Sequence, residues 1–380
     1  MTDQVILFTK VRKGLKLMGD SFNEIGGNYW LTPDQLEKGN ILDLKLKFVV
    51  NQNDVCYTST GRSAIDLAIK QKKYKNKVAL LPSYTCDSII QIFIKNDFNL
   101  VFYNLNEDFT INLIELNGLI VGNKPEILFL QSYFGFDSLK DVSGLVKQAR
   151  QEGIVTIEDI THSLFSEFRK TPAEYYIASI RKWLEVPDGA VLISTEKNLS
   201  KQLLSNDYPR PRIEMIIEAG LMKYEYIRSL NPGLKLKFRE LFYRAENMID
   251  DEKDIYEISP VSMGILKNSD AELIKTRRRK NYMLLAEGLS SVRSIAVKFK
   301  DLAQGVTPLY FCFNCNEPRD KIQAFLAKNN IYAPVIWPRS DFLGTNISHN
   351  AYQKLLCVPC DQRYDEKDMK RIIETFKNFG

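Results

Sequence analysis

The chain has 380 residues, enough for a large hydrophobic core and for two domains. Hydrophobic residues make up 44% and charged residues 26%, which is typical of soluble globular proteins. The net charge of +5 is mild for this length, so it argues against broad nucleic-acid binding and favours small anionic ligands such as phosphates.

The amino-terminal segment contains one short apolar run, VILF, at residues 5–8. This run is shorter than the apolar core of a signal peptide, and no cleavage-site pattern follows it. No stretch of the sequence approaches the roughly 20 apolar residues that a membrane-spanning helix needs. We therefore expect a cytoplasmic protein without a membrane partner.

Between about residues 53 and 194, short apolar runs alternate with segments of helical periodicity. The apolar runs predict strands buried on both faces, at 78–82, 100–105, 126–134, 153–159 and 190–194. The segments with apolar residues spaced near 3.6 predict helices, at 61–73, 86–96 and 139–152. This alternation predicts an α/β fold with a mainly parallel sheet flanked by helices.

The pattern changes after residue 200. Residues 213–230 predict one long helix, which we interpret as a core or dimer-interface helix rather than a membrane-surface helix. Further on, a helix–strand–helix–helix pattern covers 271–291, 307–315, 319–331 and 365–379. We therefore predict a large domain over residues 1–249 and a small α+β domain over residues 250–380.

Two C-x-x-C pairs, Cys312 with Cys315 and Cys357 with Cys360, have the composition of a four-thiolate zinc site. The first pair falls in a predicted strand, where residues three apart point to opposite faces. The gap between the pairs is also longer than in a zinc ribbon. We therefore favour buried free thiols and predict no metal.

The longest basic run, at residues 277–280, lies in the predicted helix over 271–291. A run of like charges on a helix is usually a solvated face. We therefore expect these side chains to face solvent rather than to line a ligand site.

Ligands of open parallel sheets bind at the carboxyl ends of the strands, so polar residues at those positions are candidate site residues. The first group is STGRS at 59–63, directly before a predicted helix. A glycine at a helix amino terminus allows backbone N–H groups to surround a phosphate, and the helix dipole favours the anion. The alternative is an ordinary helix start capped by Ser59 or Thr60.

Tyr84 follows the predicted strand over 78–82. An aromatic ring at a strand end can stack on a flat heterocycle. A tyrosine in a loop that leads into a helix is an equally good interpretation of this position.

Asp159 ends the predicted strand over 153–159, and His162 follows three residues later. An acidic residue at a strand end can pair with a protonated pyridine nitrogen and keep the ring cationic. His162 could flank such a ring. The alternative for His162 is a surface histidine or a hydrogen-bonded core histidine.

Lys182 lies in SIRKW at 179–183, before the predicted strand over 190–194. A catalytic lysine must lose its proton to attack an aldehyde, which requires partial burial or a neighbouring cation. Arg181 and Trp183 could supply this setting. Most lysines are solvated, so Lys182 is a candidate catalytic residue only in combination with the three groups above.

In this combination the sequence resembles the DegT/DnrJ/StrS family of pyridoxal 5'-phosphate (PLP)-dependent sugar aminotransferases, over nearly the whole chain. The segments that carry the resemblance are EIGGNYW, STGRSAIDLAI, LPSYTCDSII, IEDITHS, SIRKWLEVPDGAVLIS, IYAPVIWP and LLCVPCDQRYDEKDM. The resemblance implies the fold-type-I architecture of PLP-dependent transferases and an amino-group transfer from an amino acid, glutamate, to a nucleotide-linked keto-sugar. Such a reaction would serve the synthesis of amino sugars for cell-surface polysaccharides or secondary metabolites.

The resemblance also implies roles for single residues. Lys182 would hold PLP as a Schiff base, Asp159 would bind its pyridine nitrogen, and His162 would lie by its phenolic oxygen. Tyr84 would stack on the ring. The phosphate would be held by Gly61, Arg62 and Ser179. The active site would lie at the interface of a homodimer.

Three features depart from the family. Arg62 stands where the family has threonine, Ser179 is only three residues before Lys182, and the segment ISPVSMGIL at 258–266 replaces the family's Asn-Tyr-Arg-Met type segment. Two alternatives stay open: a PLP enzyme of another reaction type, and a binding or regulatory protein that retains the fold. The presence of Lys182 argues against the dehydratase members, in which histidine replaces that lysine.

Overall fold

A computed structural model describes residues 24–37, 54–168, 170–196, 199–344 and 349–379. The apolar run at residues 5–8 lies outside these ranges. The strands, in chain order, are β1 (Ile25–Gly26), β2 (Asp54–Thr58), β3 (Val78–Pro82), β4 (Asn99–Tyr103), β5 (Ile127–Gln131), β6 (Val155–Asp159), β7 (Tyr175–Ser179), β8 (Ala190–Ser194), β9 (Leu204–Ser205), β10 (Ile255–Tyr256), β11 (Ile295–Val297), β12 (Phe311–Cys315), β13 (Ile331–Tyr332) and β14 (Leu355–Val358).

The helices are α1 (Pro33–Glu37), α2 (Gly61–Ile69), α3 (Asp87–Lys95), α4 (Leu113–Asn123), α5 (Ser143–Gln151), α6 (Arg210–Ser229), α7 (Pro232–Asn247), α8 (Pro260–Lys267), α9 (Ala271–Leu289), α10 (Arg319–Lys328), α11 (Ala351–Lys354) and α12 (Glu366–Lys377). Two 3-10 turns, Thr161–Ser163 and Ile180–Lys182, follow β6 and β7 directly.

Seven strands form the main sheet, in the order β2-β8-β7-β6-β5-β3-β4. The five strands from β3 to β7 pair in parallel, whereas β8 pairs antiparallel with both β7 and β2. The predicted α/β fold with a mainly parallel sheet is confirmed. Every residue of β5, β6 and β8 is buried, as expected for strands covered on both faces.

The sequence pattern missed two strands and one crossover helix of this unit. β2 and β7 contain polar residues at their ends and no long apolar run. α4 is apolar on most of its circumference, with Ile114 and Val121 exposed, so it shows no helical periodicity.

The carboxy-terminal part contains a second sheet, with the antiparallel order β11-β12-β14. α9 and α12 pack together and bury Tyr282, Leu285, Ile372 and Phe376 in a core shared with β12. This matches the helix and strand pattern predicted for an α+β unit. The boundary at residue 250 stays a prediction.

α6 and α7 form a helical hairpin between these two parts of the chain. Their shared core contains Ile216, Ala219, Tyr226, Phe238 and Phe242. The prediction of a core helix over 213–230 is therefore confirmed for the α6 face that packs on α7. Among the described helices, none is both long and apolar enough to cross a bilayer.

The cysteines of the two C-x-x-C pairs are buried free thiols. Cys312 and Cys357 lie opposite each other on β12 and β14, with their sulfur atoms 3.4 Å apart. Within the described residues, no group of three or more histidine, cysteine or acidic side chains is arranged to hold a metal ion.

Candidate active site

A cleft of about 1020 Å³ lies between the main sheet and the carboxy-terminal unit. Its volume is at the upper end of the range of about 300–1,000 Å³ for small-molecule sites. One wall is formed by the segments that follow β2, β6 and β7, and the carboxy-terminal part of the chain contributes Leu309, Tyr310, Pro359, Asp361 and Arg363. The cleft thus lies at the carboxyl ends of parallel strands, where the fold brings polar loop residues together.

Gly61 is the first residue of α2, and Thr60 caps this helix by accepting a 3.0 Å hydrogen bond from the Ser63 N–H. The side chain of Ser179, from the end of β7, lies beside Gly61: a Cβ built on Gly61 would be 3.5 Å from the Ser179 Cβ. Both residues line the cleft. Two of the three positions predicted to hold a phosphate, Gly61 and Ser179, are therefore neighbours at a helix amino terminus, where the dipole favours an anion.

Asp159 is the last residue of β6, and only 4% of it is exposed. Its Oδ1 accepts a 2.8 Å hydrogen bond from the Thr161 N–H. Burial raises the pKa of Asp159 to about 6, although hydrogen bonds from Thr161 and the charge of Lys182 act in the opposite direction. A buried carboxylate of this kind gains from a cationic partner.

His162 is almost fully buried on the 3-10 turn after β6 and lines the cleft. Its Nδ1 accepts a 3.3 Å hydrogen bond from the Phe134 N–H, and its ring stacks on Trp337 with a centroid distance of 5.1 Å. Burial holds the pKa of His162 well below its usual value, so the ring is neutral. With Nδ1 accepting, the proton of the neutral ring lies on Nε2, which is buried and has no partner among the described residues.

Lys182 ends the 3-10 turn after β7 and lines the same cleft. Its charge acts on both Asp159 and His162. The next residue, Trp183, is fully buried and donates a 2.6 Å hydrogen bond from its indole N–H to the Thr161 carbonyl. The Trp183 carbonyl accepts hydrogen bonds from the Tyr29 hydroxyl and the Gln362 amide, so the turn that carries Lys182 is fixed on both sides.

Tyr84 does not reach this group of residues. It is fully buried, and its ring packs in an aromatic core against Tyr133, Trp337 and Tyr352. It is not part of the cleft wall, whereas Cys86, two residues further along, is. The stacking role predicted for Tyr84 does not fit this position, because the segment after β3 turns that side chain into the core.

Arg62 and Arg181 line the cleft at its outer rim, where their side chains are about one third and one quarter exposed. Arg62 forms an ion pair with Asp250, and Arg181 forms one with Glu246. Both carboxylates belong to the end of α7 and the segment that follows it. Both guanidinium groups are thus partnered at the entrance to the cleft.

Arg278 is a residue whose environment the sequence analysis predicted wrongly. It is fully buried, and it donates hydrogen bonds to the Leu309 carbonyl (2.9 Å) and the Tyr29 hydroxyl (3.0 Å). The prediction of a solvated basic run is therefore wrong at this position. The available signal was its spacing, since Arg278 is four residues from Ile274 and from Tyr282, both on the buried face of α9.

Arg363 holds the amino-terminal segment against the cleft. It forms a two-point ion pair with Asp361, with two distances of 2.8 Å, and its guanidinium lies 4.0 Å from the centroid of the Tyr29 ring. It also donates to the carbonyls of Gly27 and Asn28. These contacts bring EIGGNYW, predicted only by resemblance, into the cleft wall.

No protein-family model and no curated protein matches the chain. Solved structures do match it over most of their length and its own. A DegT DnrJ EryC1 StrS aminotransferase from Brucella abortus is 16% identical, with a TM-score of 0.62, over 92% of this chain and 91% of that one. PseC from Helicobacter pylori, an aminotransferase involved in the biosynthesis of pseudoaminic acid, is 11% identical, with a TM-score of 0.67, over 93% and 98%.

DesV from S. venezuelae, solved in complex with a ketimine intermediate, is 15% identical, with a TM-score of 0.63, over 93% of this chain and 91% of that one. At these identities the similarity establishes the fold. It confirms the predicted α/β architecture with a mainly parallel sheet flanked by helices. The chain therefore has the fold of the DegT/DnrJ/EryC1/StrS aminotransferase structures.

Proposed function

We propose that this protein is a PLP-dependent aminotransferase that holds PLP on Lys182. The observation that carries the proposal is that His162 and Lys182, from the turns after two adjacent strands, line one wall of a large cleft. The buried carboxylate of Asp159 lies next to that wall, where it accepts a hydrogen bond from the cleft residue Thr161 and is influenced by the charge of Lys182. Their chemistry matches the three needs of a pyridine aldehyde: an amine, an acid for the ring nitrogen, and a donor for a phenolic oxygen.

The residues present fit this cofactor. The buried Nε2–H of His162 has no partner among the described residues, so it is available to donate to the phenolic oxygen. The buried carboxylate of Asp159 lacks a full counter-charge and would hold the pyridine nitrogen in its protonated form. The phosphate would lie at the amino terminus of α2, against the backbone of Gly61 and the hydroxyl of Ser179. Arg62 would contact it only after leaving Asp250.

When bound, PLP supplies an electron sink for a negative charge that develops on the substrate carbon. The chain supplies the remaining elements. Asp159 keeps the ring nitrogen cationic, and His162 donates a hydrogen bond while remaining neutral. The free amine of Lys182 would carry the proton from the substrate carbon to the cofactor carbon, and back again in the reverse half-reaction.

The substrates that we propose are glutamate as the amino donor and a nucleotide-linked keto-sugar as the acceptor, for amino-sugar synthesis. The similar solved structures support a sugar, since they include CalS13, a sugar aminotransferase from Micromonospora echinospora, and PseC. The size of the cleft also leaves space for a ligand larger than the cofactor. We further propose a cytoplasmic homodimer in which the two chains share the active sites.

The test is the visible absorbance of the purified protein with PLP, recorded before and after addition of glutamate. We expect a band that glutamate bleaches and that Lys182→Ala abolishes. Lys223→Ala is the matched control, because burial lowers the pKa of Lys223 to about 7 but this lysine donates to the carbonyls of Gly26 and Asn28 and does not itself line the cleft. The control should keep the band.

An absorbance band that does not change when an amino donor is added would support PLP as the cofactor but indicate another reaction type. The absence of any band with excess PLP would contradict the cofactor assignment and favour a binding protein that retains the fold.

A further inference from the structure

Thr161 lies between the residues proposed to hold the two ends of the cofactor. It is 95% buried on the turn after β6. Its backbone N–H donates to Asp159 Oδ1 (2.8 Å), and its carbonyl accepts from the indole of Trp183 (2.6 Å). Its hydroxyl accepts a 2.9 Å hydrogen bond from the backbone N–H of Ser179. One residue thus contacts the segments of the acid, the phosphate turn and the lysine.

The direction of the hydroxyl hydrogen bonds follows from counting protons. A threonine hydroxyl carries one proton, and the Ser179 N–H already donates to its oxygen. The proton is therefore available to Asp159, whose carboxylate the Thr161 N–H already holds at 2.8 Å, and donation from the Thr161 side chain lowers the pKa of this carboxyl. Such a bond favours the ionised carboxylate, which is the form that a pyridinium requires.

We propose that Thr161 is a positioning residue whose hydroxyl couples the carboxylate of Asp159 to the turn that carries Ser179 and Lys182. This inference rests on the proposed function and deepens it. The side chain does not contact the reacting atoms. It fixes the distance between the group for the ring nitrogen and the group for the phosphate, and it stabilises the charged form of Asp159.

The groups that face Asp159 set the background for any change in its titration. They are Lys182 from the turn after β7, His162 from its own turn and Tyr133 from the segment after β5. None of them is altered when the hydroxyl of Thr161 is removed. Thr161→Val should therefore raise the pKa of Asp159 by about one unit, through the loss of one charge-assisted hydrogen bond.

The first experiment needs no cofactor. The melting temperatures of Thr161→Val and Thr161→Ser are compared between pH 5 and pH 9. The pKa of Asp159 in the folded protein, about 6, is above its ordinary value of 3.8. The folded protein therefore loses stability as the pH rises from 3.8 to about 6, and the loss is complete above that pH. A further rise of the Asp159 pKa in Thr161→Val makes this loss of stability larger and extends it to higher pH. We therefore expect the difference in melting temperature between Thr161→Ser and Thr161→Val to widen as the pH rises from about 6 to 8.

If the hydroxyl of Thr161 had only a packing role, the difference in melting temperature between the two variants would not change with pH. This result would overturn the proposal. The difference must also lose its pH dependence in an Asp159→Asn background. If Thr161→Val does not fold, Thr161→Ala removes the same hydroxyl from a smaller side chain and is measured against Thr161→Ser in the same way.

The second experiment measures the dissociation constant of PLP by absorbance titration. We expect Thr161→Val and Thr161→Ala to weaken binding about tenfold, and Thr161→Ser to stay within about threefold of the unaltered protein. Thr171→Val is the matched control, because Thr171 is also a buried threonine that donates to a carboxylate, Glu158, outside the cleft. Equal effects of Thr161→Val and Thr171→Val would contradict the proposal. If the unaltered protein binds no PLP, the proposed function fails, and the stability experiment alone decides on Thr161.

Discussion

The inner wall and the outer rim of the cleft are built by different kinds of contact. The inner wall, together with the buried Asp159 next to it, is held by hydrogen bonds that involve the backbone at the ends of buried strands, at Asp159, Thr161, His162 and Ser179. Lys182 lies on the turn that follows Ser179. The rim consists of ion pairs between arginines and partly exposed carboxylates, Arg62 with Asp250 and Arg181 with Glu246.

This difference indicates how the two regions divide the work. Buried hydrogen bonds to backbone fix side chains within narrow limits, as a reaction centre requires. Exposed ion pairs contribute little to stability, and their groups can exchange one partner for another. The inner wall would therefore position the groups that react, and the arginines of the rim would attract an anionic ligand that enters the cleft.

The largest effect is expected at the inner wall, from Asp159→Asn. The substitution preserves shape but removes the negative charge that would hold the ring nitrogen protonated. We expect kcat for amino transfer to fall by about 100-fold or more, the scale of a lost electrostatic partner in a buried site. Steady-state kinetics with glutamate as donor would measure the change.

The control for Asp159→Asn is Asp87→Asn, which removes a carboxylate from another part of the cleft wall. Its kcat should stay within about threefold of the unaltered protein. Similar losses in the two variants would mean that the negative charge of the whole cleft matters rather than the position of Asp159, and the comparison between wall and rim would fail.

A smaller effect is expected at the rim, from the double substitution Glu246→Gln with Asp250→Asn. Losing two partly exposed ion pairs should reduce the free energy of unfolding by no more than about 1 kcal/mol. It also frees Arg62 and Arg181 to attract the cofactor phosphate, so the dissociation constant of PLP should fall about threefold at low salt. Because these charges face solvent, 1 M salt should abolish the gain.

Chemical denaturation and PLP titration of this double variant would measure both quantities. A loss of several kcal/mol, or weaker PLP binding, would show that the rim is part of the fixed geometry. The division between the two regions would then have to be abandoned.

The sequence predicted the strands of the parallel core well because strands buried on both faces read as nearly continuous apolar runs, as in β3 and β5. It missed α4 because a helix that is apolar on most sides has no periodic signal. It missed β7 because the strand, YYIAS, has only the short apolar pair Ile177–Ala178 between two tyrosines and a serine.

The candidate site was predictable to the extent that it lies at strand ends. Asp159 ends a strand that the sequence predicted, so local sequence determined where it lies. Ser179 ends β7 and Lys182 follows it, and since this strand was not predicted, their roles rested on the resemblance. Tyr84 and Arg278 were misjudged because their environments depend on distant segments. Trp337 and Tyr352 enclose Tyr84, and the carbonyls at 308–309 bind Arg278. Neither set of contacts can be read from neighbouring residues.

Three lysines, Lys170, Lys182 and Lys223, are candidates to form the imine with PLP. Burial lowers the pKa of Lys170 to about 8 and that of Lys223 to about 7, so both become amines more readily than a solvated lysine. Lys170 donates to Ser163, and Lys223 donates to the carbonyls of Gly26 and Asn28. Only Lys182, of these three, lines the cleft beside Asp159 and His162.

Borohydride reduction of the protein with PLP, followed by mass-spectrometric peptide mapping, tests this assignment most directly. Hydride adds to the carbon of the imine and leaves a stable secondary amine, so the modified lysine keeps the pyridoxyl group through digestion. The account predicts one labelled site, Lys182, with labelling lost in Lys182→Ala and retained in Lys223→Ala. A label on Lys170 or Lys223, or none at stoichiometric PLP, would contradict it.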